Sequence, residues 1–133
     1  MSNSISLEAL QLAITALEMG LTEHEQYPHL LTVRDGVIQR FEVAMDVSRQ
    51  LVIRILKEKF GLDDTQANNK TFIREAAKYS LIVDVEAWFG HLKARNDSSH
   101  TYDAEVAAQV FERVPLFLSD VRDLYFRLEQ HVA

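Results

Sequence analysis

The sequence predicts an all-α protein: an up-and-down antiparallel helical bundle of four long helices plus one short helix, built by a single domain over residues 1–133. Three observations carry that prediction. Four glycines and two prolines leave little material for hairpin turns. The one Asp-Gly pair, Asp35-Gly36, leads into apolar residues at three- and four-residue steps and not into alternation. Short connections separate the long amphipathic stretches, and helices so joined run antiparallel.

The first helix runs from Ser4 or Ser6 to about Gln26, with Leu7, Leu10, Ile14, Leu17 and Leu21 on one face and Glu8, Gln11, Glu18 and Glu25 elsewhere on the wheel. Tyr27-Pro28 ends it, because the residue before a proline is pushed out of the helical region. The second runs from about Gly36 to Phe60, with Asp35 as its N-cap and Gly61 as its stop. Ile38, Phe41, Met45, Val52, Ile55 and Leu56 form its apolar stripe. Residues 63–69 are polar and read as a loop, with Asn68 or Asn69 capping a short helix from Phe72 to Tyr79. The turn through Leu81-Ile82-Val83 is unusually apolar. Asp84 caps a fourth helix that carries Trp88, Phe89 and Leu92 and finishes near Arg95. Asp103 caps a fifth, which reaches about His131 with Val106, Val110, Phe117, Val121, Leu124 and Leu128 inward and Pro115 kinking it near its middle.

A chain of 133 residues buries roughly two thirds of its unfolded surface, enough to dispense with covalent staples. It has no cysteine, hence no disulfide and no thiolate metal site, in keeping with a reducing compartment. There is no basic leader and no apolar run near the ~20 residues of a membrane span, so a soluble cytoplasmic protein with no membrane partner is expected. The formal charge of −6 argues against non-specific coating of nucleic acid, which rests on lysine and arginine meeting phosphate. Any nucleic-acid chemistry must therefore be local.

The place for it is Arg95-Asn96-Asp97-Ser98-Ser99-His100-Thr101-Tyr102, which gathers a guanidinium, an imidazole and a phenol between two amphipathic segments. On one uninterrupted helix Arg95 and His100 would lie about 140° apart and look in different directions. They converge only if the helix ends between them or a second copy supplies the missing group. Asp97, Ser98 and Ser99 favour an end, since their short polar side chains compete for the backbone. Arg95 is thus expected in a last helical turn, and His100 at a helix–helix junction.

These residues resemble a known family. Arg95, four residues, then His100-Thr101-Tyr102 fits the Arg-x4-6-His signature of HEPN domains, and more narrowly the Arg-x4-His-x-Tyr form of HepT toxins. The surrounding run also resembles the nucleotidyltransferase substrate-binding family of the HEPN group: Ile73-Arg74-Glu75-Ala76-Ala77, Leu81-Ile82, Glu86-Ala87-Trp88, Leu92, Ala94-Arg95-Asn96 and Ser99 to Asp103. With Arg40-Phe41-Glu42 on the second helix, the likeness spans most of the chain. The bare spacing is a weak signal and the run from Ile73 to Asp103 a far stronger one.

The resemblance implies a homodimeric bundle that brings two copies of the motif to one cleft, and a minimal nucleotidyltransferase, encoded nearby, as partner. It implies a ribonuclease toxin of a type VII-like toxin–antitoxin pair, cleaving RNA without metal or cofactor and silenced when the nucleotidyltransferase adds AMP to the motif tyrosine. Carried over by position, Arg95 and His100 would be catalytic, Asn96 would match the polar residue that commonly follows the arginine, and Tyr102 would be the modified acceptor. The alternative is a non-catalytic subunit that recruits substrate for the nucleotidyltransferase and holds a nucleotide or phosphate in the dimer cleft. The acidic balance leans towards the second description, the complete Arg-His-Tyr set towards the first. A plain helical interaction module is the third.

The chemistry stands without the family. RNA cleavage needs a base for the 2′-hydroxyl, an acid for the leaving oxygen and positive charge for the phosphorane. Imidazole titrates near neutrality and guanidinium offers a fork of donors to phosphate, so two of each in a dimer cleft suffice, whereas one chain holds half the set. Structural readings stand beside it. Arg95 near a helix C-terminus favours the dipole by a few tenths of a kcal/mol. His24, His29, His91 and His131 show no paired ligand spacing and read as surface or edge residues, and Glu23, His24 and Glu25 as a polar helix end. Trp88 and Phe89 read as core or dimer interface. Tyr27, Tyr79 and Tyr125 have no motif around them, and Arg34, Asp35 and Arg40, candidates for shaping the cleft, read first as capping and solvated charge.

Overall fold

A computed structural model describes residues 5–63 and 68–132, and among these the chain is all-helical with no strand. Its elements are α1 (Glu8–Gln26), α2 (Leu31–Phe60), α3 (Asn69–Lys78), α4 (Val85–Asp97) and α5 (Ala104–Val132), with a 3-10 turn at Ser98–His100 between the last two.

The polar caps form where short side-chain oxygens stand ready. Asn68 accepts from the Thr71 amide at 2.8 Å, Asp84 from Ala87 at 3.0 Å, and Asp103 from Glu105 at 2.9 Å, each meeting an amide that a helix leaves unpaired at its start. Ser6 Oγ does the same for Glu8 at 3.2 Å, while Ser4, the other candidate start, lies outside the described residues. Gly61 ends α2 in the left-handed region at φ 71°, and Leu62 N–H returns to the Leu56 carbonyl at 3.0 Å. Ser80, at φ 60°, ends α3 in the same way without being glycine, with Leu81 N–H closing on Ala76 at 2.8 Å.

Two boundaries differ from expectation. The second helix begins at Leu31, so Asp35 is no cap: it sits inside the first turns and pairs with Arg34 at 3.1 Å. Nothing between Leu31 and Gly36 breaks a helix once the Tyr27-Pro28 turn has redirected the chain, and Leu30 caps it without a side-chain bond. The short helix likewise starts three residues ahead of Phe72. In α5 the helix runs through Pro115, whose ring stands on the exposed side.

Contacts give the directions. Val37 and Arg40 of α2 lie against Gly20 of α1, and Arg40 Nη1 donates to the Ala16 carbonyl at 2.9 Å, so these helices run antiparallel. Arg40 is therefore half-buried across α1 and not a solvated charge. Phe41 meets Phe117 edge-on at 5.0 Å and Phe60 meets His131 at 5.4 Å, which sets α2 and α5 in the same direction. Arg127 reaches the Ser80 carbonyl while Asp120 reaches His91, which turns α4 against α5. The result is the up-and-down order expected, with α3 bridging α2 and α4.

Leu10, Leu17, Phe41, Met45, Ile55, Phe117, Leu124 and Leu128 are fully buried along the centre. Each such side chain contributes on the order of 1.5–3 kcal/mol relative to exposure. Leu81 and Ile82 carry the same core under the α3–α4 turn, which accounts for that segment's apolar character, while Val83 points out.

Candidate functional site at the α4–α5 junction

The helix does end between Arg95 and His100. The α-helical ladder of α4 stops at Asp97, where Ser98 enters a tighter turn; its Oγ lies 2.6 Å from the Arg95 carbonyl and competes for the last helical acceptors. Arg95 occupies the last turn, His100 closes the 3-10 segment, and Tyr102 stands before the Asp103 cap of α5.

His100 and Tyr102 come together. The phenol oxygen is 3.3 Å from Nδ1 of the imidazole and the rings meet edge to face at 5.8 Å. Both are exposed, Tyr102 at 86 %. The other ring nitrogen, Nε2, has no protein partner among the described residues, so it is open to a ligand. Asn96 is exposed and lines a depression of about 360 Å³ with Lys70, Phe89, Leu92 and Lys93. Arg74 lies over the Phe89 ring at 5.4 Å, so this flank is locally basic and aromatic despite the acidic chain.

Arg95 points elsewhere. Its Nε and Nη2 grip both oxygens of Asp46 at 2.9 and 3.0 Å, and Nη1 reaches Glu42 at 3.0 Å and Ser98 Oγ at 3.1 Å. Ser98 is buried and its hydroxyl also meets Glu42 at 2.7 Å. The hydrogen bonds it donates to Asp46 push the guanidinium above its usual pKa, with burial acting the other way. Two carboxylates thus surround one arginine, and Arg95 and His100 share no hydrogen bond among the described residues.

From the sequence Glu42 entered only through the Arg40-Phe41-Glu42 likeness, Asp46 had no role, and Ser98 entered only as a residue that favours a helix end. The first two stand four residues apart on α2, one helical face, but pairs of that spacing occur on every charged helix. Their connection to Arg95, 53 and 49 residues away, is purely tertiary.

A second polar cluster lies behind the site. His91, expected at the surface or an edge, is wholly buried between Trp88 and Phe117. Its Nδ1 is 3.0 Å from Arg113 Nε, which can only donate; the ring hydrogen therefore sits on Nε2 and is given to Asp120 Oδ2 at 2.6 Å. Arg113 Nη2 continues to the Ala87 carbonyl at 2.6 Å, lying flat on Gly90, where any Cβ would come within 2.2 Å of the guanidinium. Burial pulls the His91 pKa down, the Asp120 hydrogen bond opposes this, and the Arg113 charge adds to it. Helical spacing from Trp88 was the one sign in the sequence that His91 faces inward.

Among the described residues no helix is long and apolar enough to cross a membrane. Residues 5–130 match the family described as nucleotidyltransferase substrate binding protein like. A Haemophilus influenzae protein named probable ribonuclease HepT is 30 % identical over 140 residues, covering 98 % of this chain and 96 % of its own. Two solved structures resemble the fold. One, from Haemophilus influenzae and described as revealing the fold of a substrate binding domain of a nucleotidyltransferase, has a TM-score of 0.83 at 28 % identity, covering 94 % of this chain and all of its own. The other, from Thermus thermophilus, has a TM-score of 0.68 at 28 % identity over 84 % of this chain and 98 % of its own.

Proposed function

The chain belongs to the nucleotidyltransferase substrate-binding-like family, and from that premise we propose that it is an RNA-cleaving toxin of the HepT kind, acting as a homodimer and silenced by a partner nucleotidyltransferase. The observation that carries the reading is the His100–Tyr102 pair: an imidazole with one nitrogen open, beside an 86 % exposed phenol, on a turn that also ends the helix of Arg95.

In the reaction the 2′-oxygen of the RNA bonds to phosphorus and the P–O5′ bond breaks. One His100 takes the 2′-hydroxyl proton, and the partner copy's His100 in its protonated form gives one to the departing 5′-oxygen. Arg95 meets the charge that gathers on the phosphorane. No metal ion is required by this scheme. Tyr102 accepts AMP by attack of its oxygen on the α-phosphorus of ATP, with pyrophosphate leaving; the added anion then fills the space before His100 and repels RNA. Asn96 supports the strand beside Arg95.

The second reading is a non-catalytic subunit of the nucleotidyltransferase, and one observation weighs against a catalytic arginine: Arg95 is already engaged by Glu42 and Asp46. A single comparison separates the two. Purified protein in chelator is expected to cut single-stranded RNA, and His100→Ala to stop it with dimerisation and melting unchanged. Equal cutting by both proteins, or none by either, would remove the catalytic assignment.

A further inference from the structure

An arginine carries five N–H hydrogens. In Arg95 the Nε hydrogen and one on Nη2 go to Asp46, while Nη1 faces Glu42 and Ser98, whose own oxygens stand 2.7 Å apart. The second hydrogen of Nη2 lies outside both contacts. The two anchors differ in kind. Glu42 and the buried Ser98 form the inner one, while Asp46 closes a two-oxygen fork from the solvent side with half its side chain exposed. A fork fixes the plane of the guanidinium as well as its position, which a single bond cannot do.

We propose that Asp46 is a positioning residue for RNA cleavage: it turns the guanidinium of Arg95 so that the remaining Nη2 hydrogen meets a phosphate oxygen at the phosphorane stage. The inference rests on the ribonuclease reading above and assigns a role that the motif itself does not contain. Its consequence for kinetics follows from charge. Glu42 and Asp46 together outweigh the single positive charge of Arg95, so the cluster offers an approaching RNA no net attraction. What Arg95 supplies is direction, and direction is worth most where charge develops, in the transition state. Removing Asp46 should therefore act on kcat and spare KM.

The test uses the full chain. Asp46→Asn keeps the size and one acceptor oxygen but sets an amide against the Nε/Nη2 edge, so the fork is lost. Its kcat on single-stranded RNA is expected to fall about 10–100-fold, with KM within about threefold of wild type and unchanged melting. Asp46→Glu, which restores a carboxylate, should recover most of the loss. A second readout does not depend on turnover: the Arg95 Nε–H resonance, identified by its loss in Arg95→Lys, should be sharp and slowly exchanging in wild type and in Asp46→Glu, and free-arginine-like in Asp46→Asn.

Three results would overturn the proposal. A lower KM with kcat kept would make Asp46 a competitor of RNA. Unchanged kinetics, or a loss that follows melting in both variants, would leave it a surface ion pair. A wild type that cuts no RNA would remove the ribonuclease reading and the reaction step together, and the resonance would then show whether the guanidinium is held at all. An active wild type with an indifferent Asp46→Asn fails this inference alone.

Discussion

His91 and His100 stand nine residues apart in the sequence and are treated in opposite ways. His91 is sealed in the core with both nitrogens occupied and its proton placed by Arg113 on one side and Asp120 on the other. His100 lies on the surface with one nitrogen near a phenol and the other open. An exposed imidazole with an open nitrogen can be reached by a ligand. One that joins two helices cannot, and the surroundings of each make the difference.

Substitution of His100 should separate them most sharply. His100→Ala is expected to lower RNA cleavage by at least about 10²-fold, the usual weight of a positioned acid or base, with no change in melting. A comparable loss from a surface substitution such as Lys59→Ala would show that the comparison is drawn at the wrong turn.

His91→Ala should do the reverse. It leaves Arg113 and Asp120 without their shared partner and opens a void among aromatic rings, so stability should drop by about 2–4 kcal/mol in denaturant unfolding while specific activity of the folded fraction persists. Gly90→Ala is a milder form of the same experiment. The added methyl must displace the Arg113 guanidinium from both the imidazole and the Ala87 carbonyl, for roughly 1–3 kcal/mol.

The pH dependence of folding sharpens the comparison further. The unfolded chain protonates His91 near the usual imidazole value of about 6.5, the folded protein only at lower pH. Protonation would set an Nδ1–H against Arg113 Nε–H; Asp120 and, at longer range, Asp84 are the carboxylates that oppose the penalty. Between the two values the unfolded state binds more protons, so this stabilisation is complete above about pH 6.5 and is lost as pH falls. Unfolding midpoints should decline from about pH 7.5 to 5.5, and His91→Gln should flatten the slope. A slope that survives the substitution would point to other groups. Smallest of all, Tyr102→Phe should leave RNA cleavage within about threefold and stability within about 0.5 kcal/mol, while removing the mass gained on incubation with the nucleotidyltransferase and ATP.

Local chemistry made much of this visible in advance. Asn68, Asp84 and Asp103 carry their capping oxygens in their own side chains, and Arg95, His100 and Tyr102 lie within eight residues, so a linear reading places them all. The start of α2 gave no such sign, because Leu30 caps it with backbone alone. The carboxylates around Arg95 were hidden for a different reason: Glu42 and Asp46 look like any exposed acidic pair until α2 and α4 are laid side by side. His91 reads as polar by type and becomes a core residue only because Arg113 and Asp120 arrive from α5 to satisfy it.

Arg113 and Asp120 stitch α5 to α4 through a backbone carbonyl and both sides of one ring. A rod seated only in oil can roll about its own axis. This one is pegged about one to two turns before Arg95, so the azimuth of the motif arginine is dictated by the neighbouring helix.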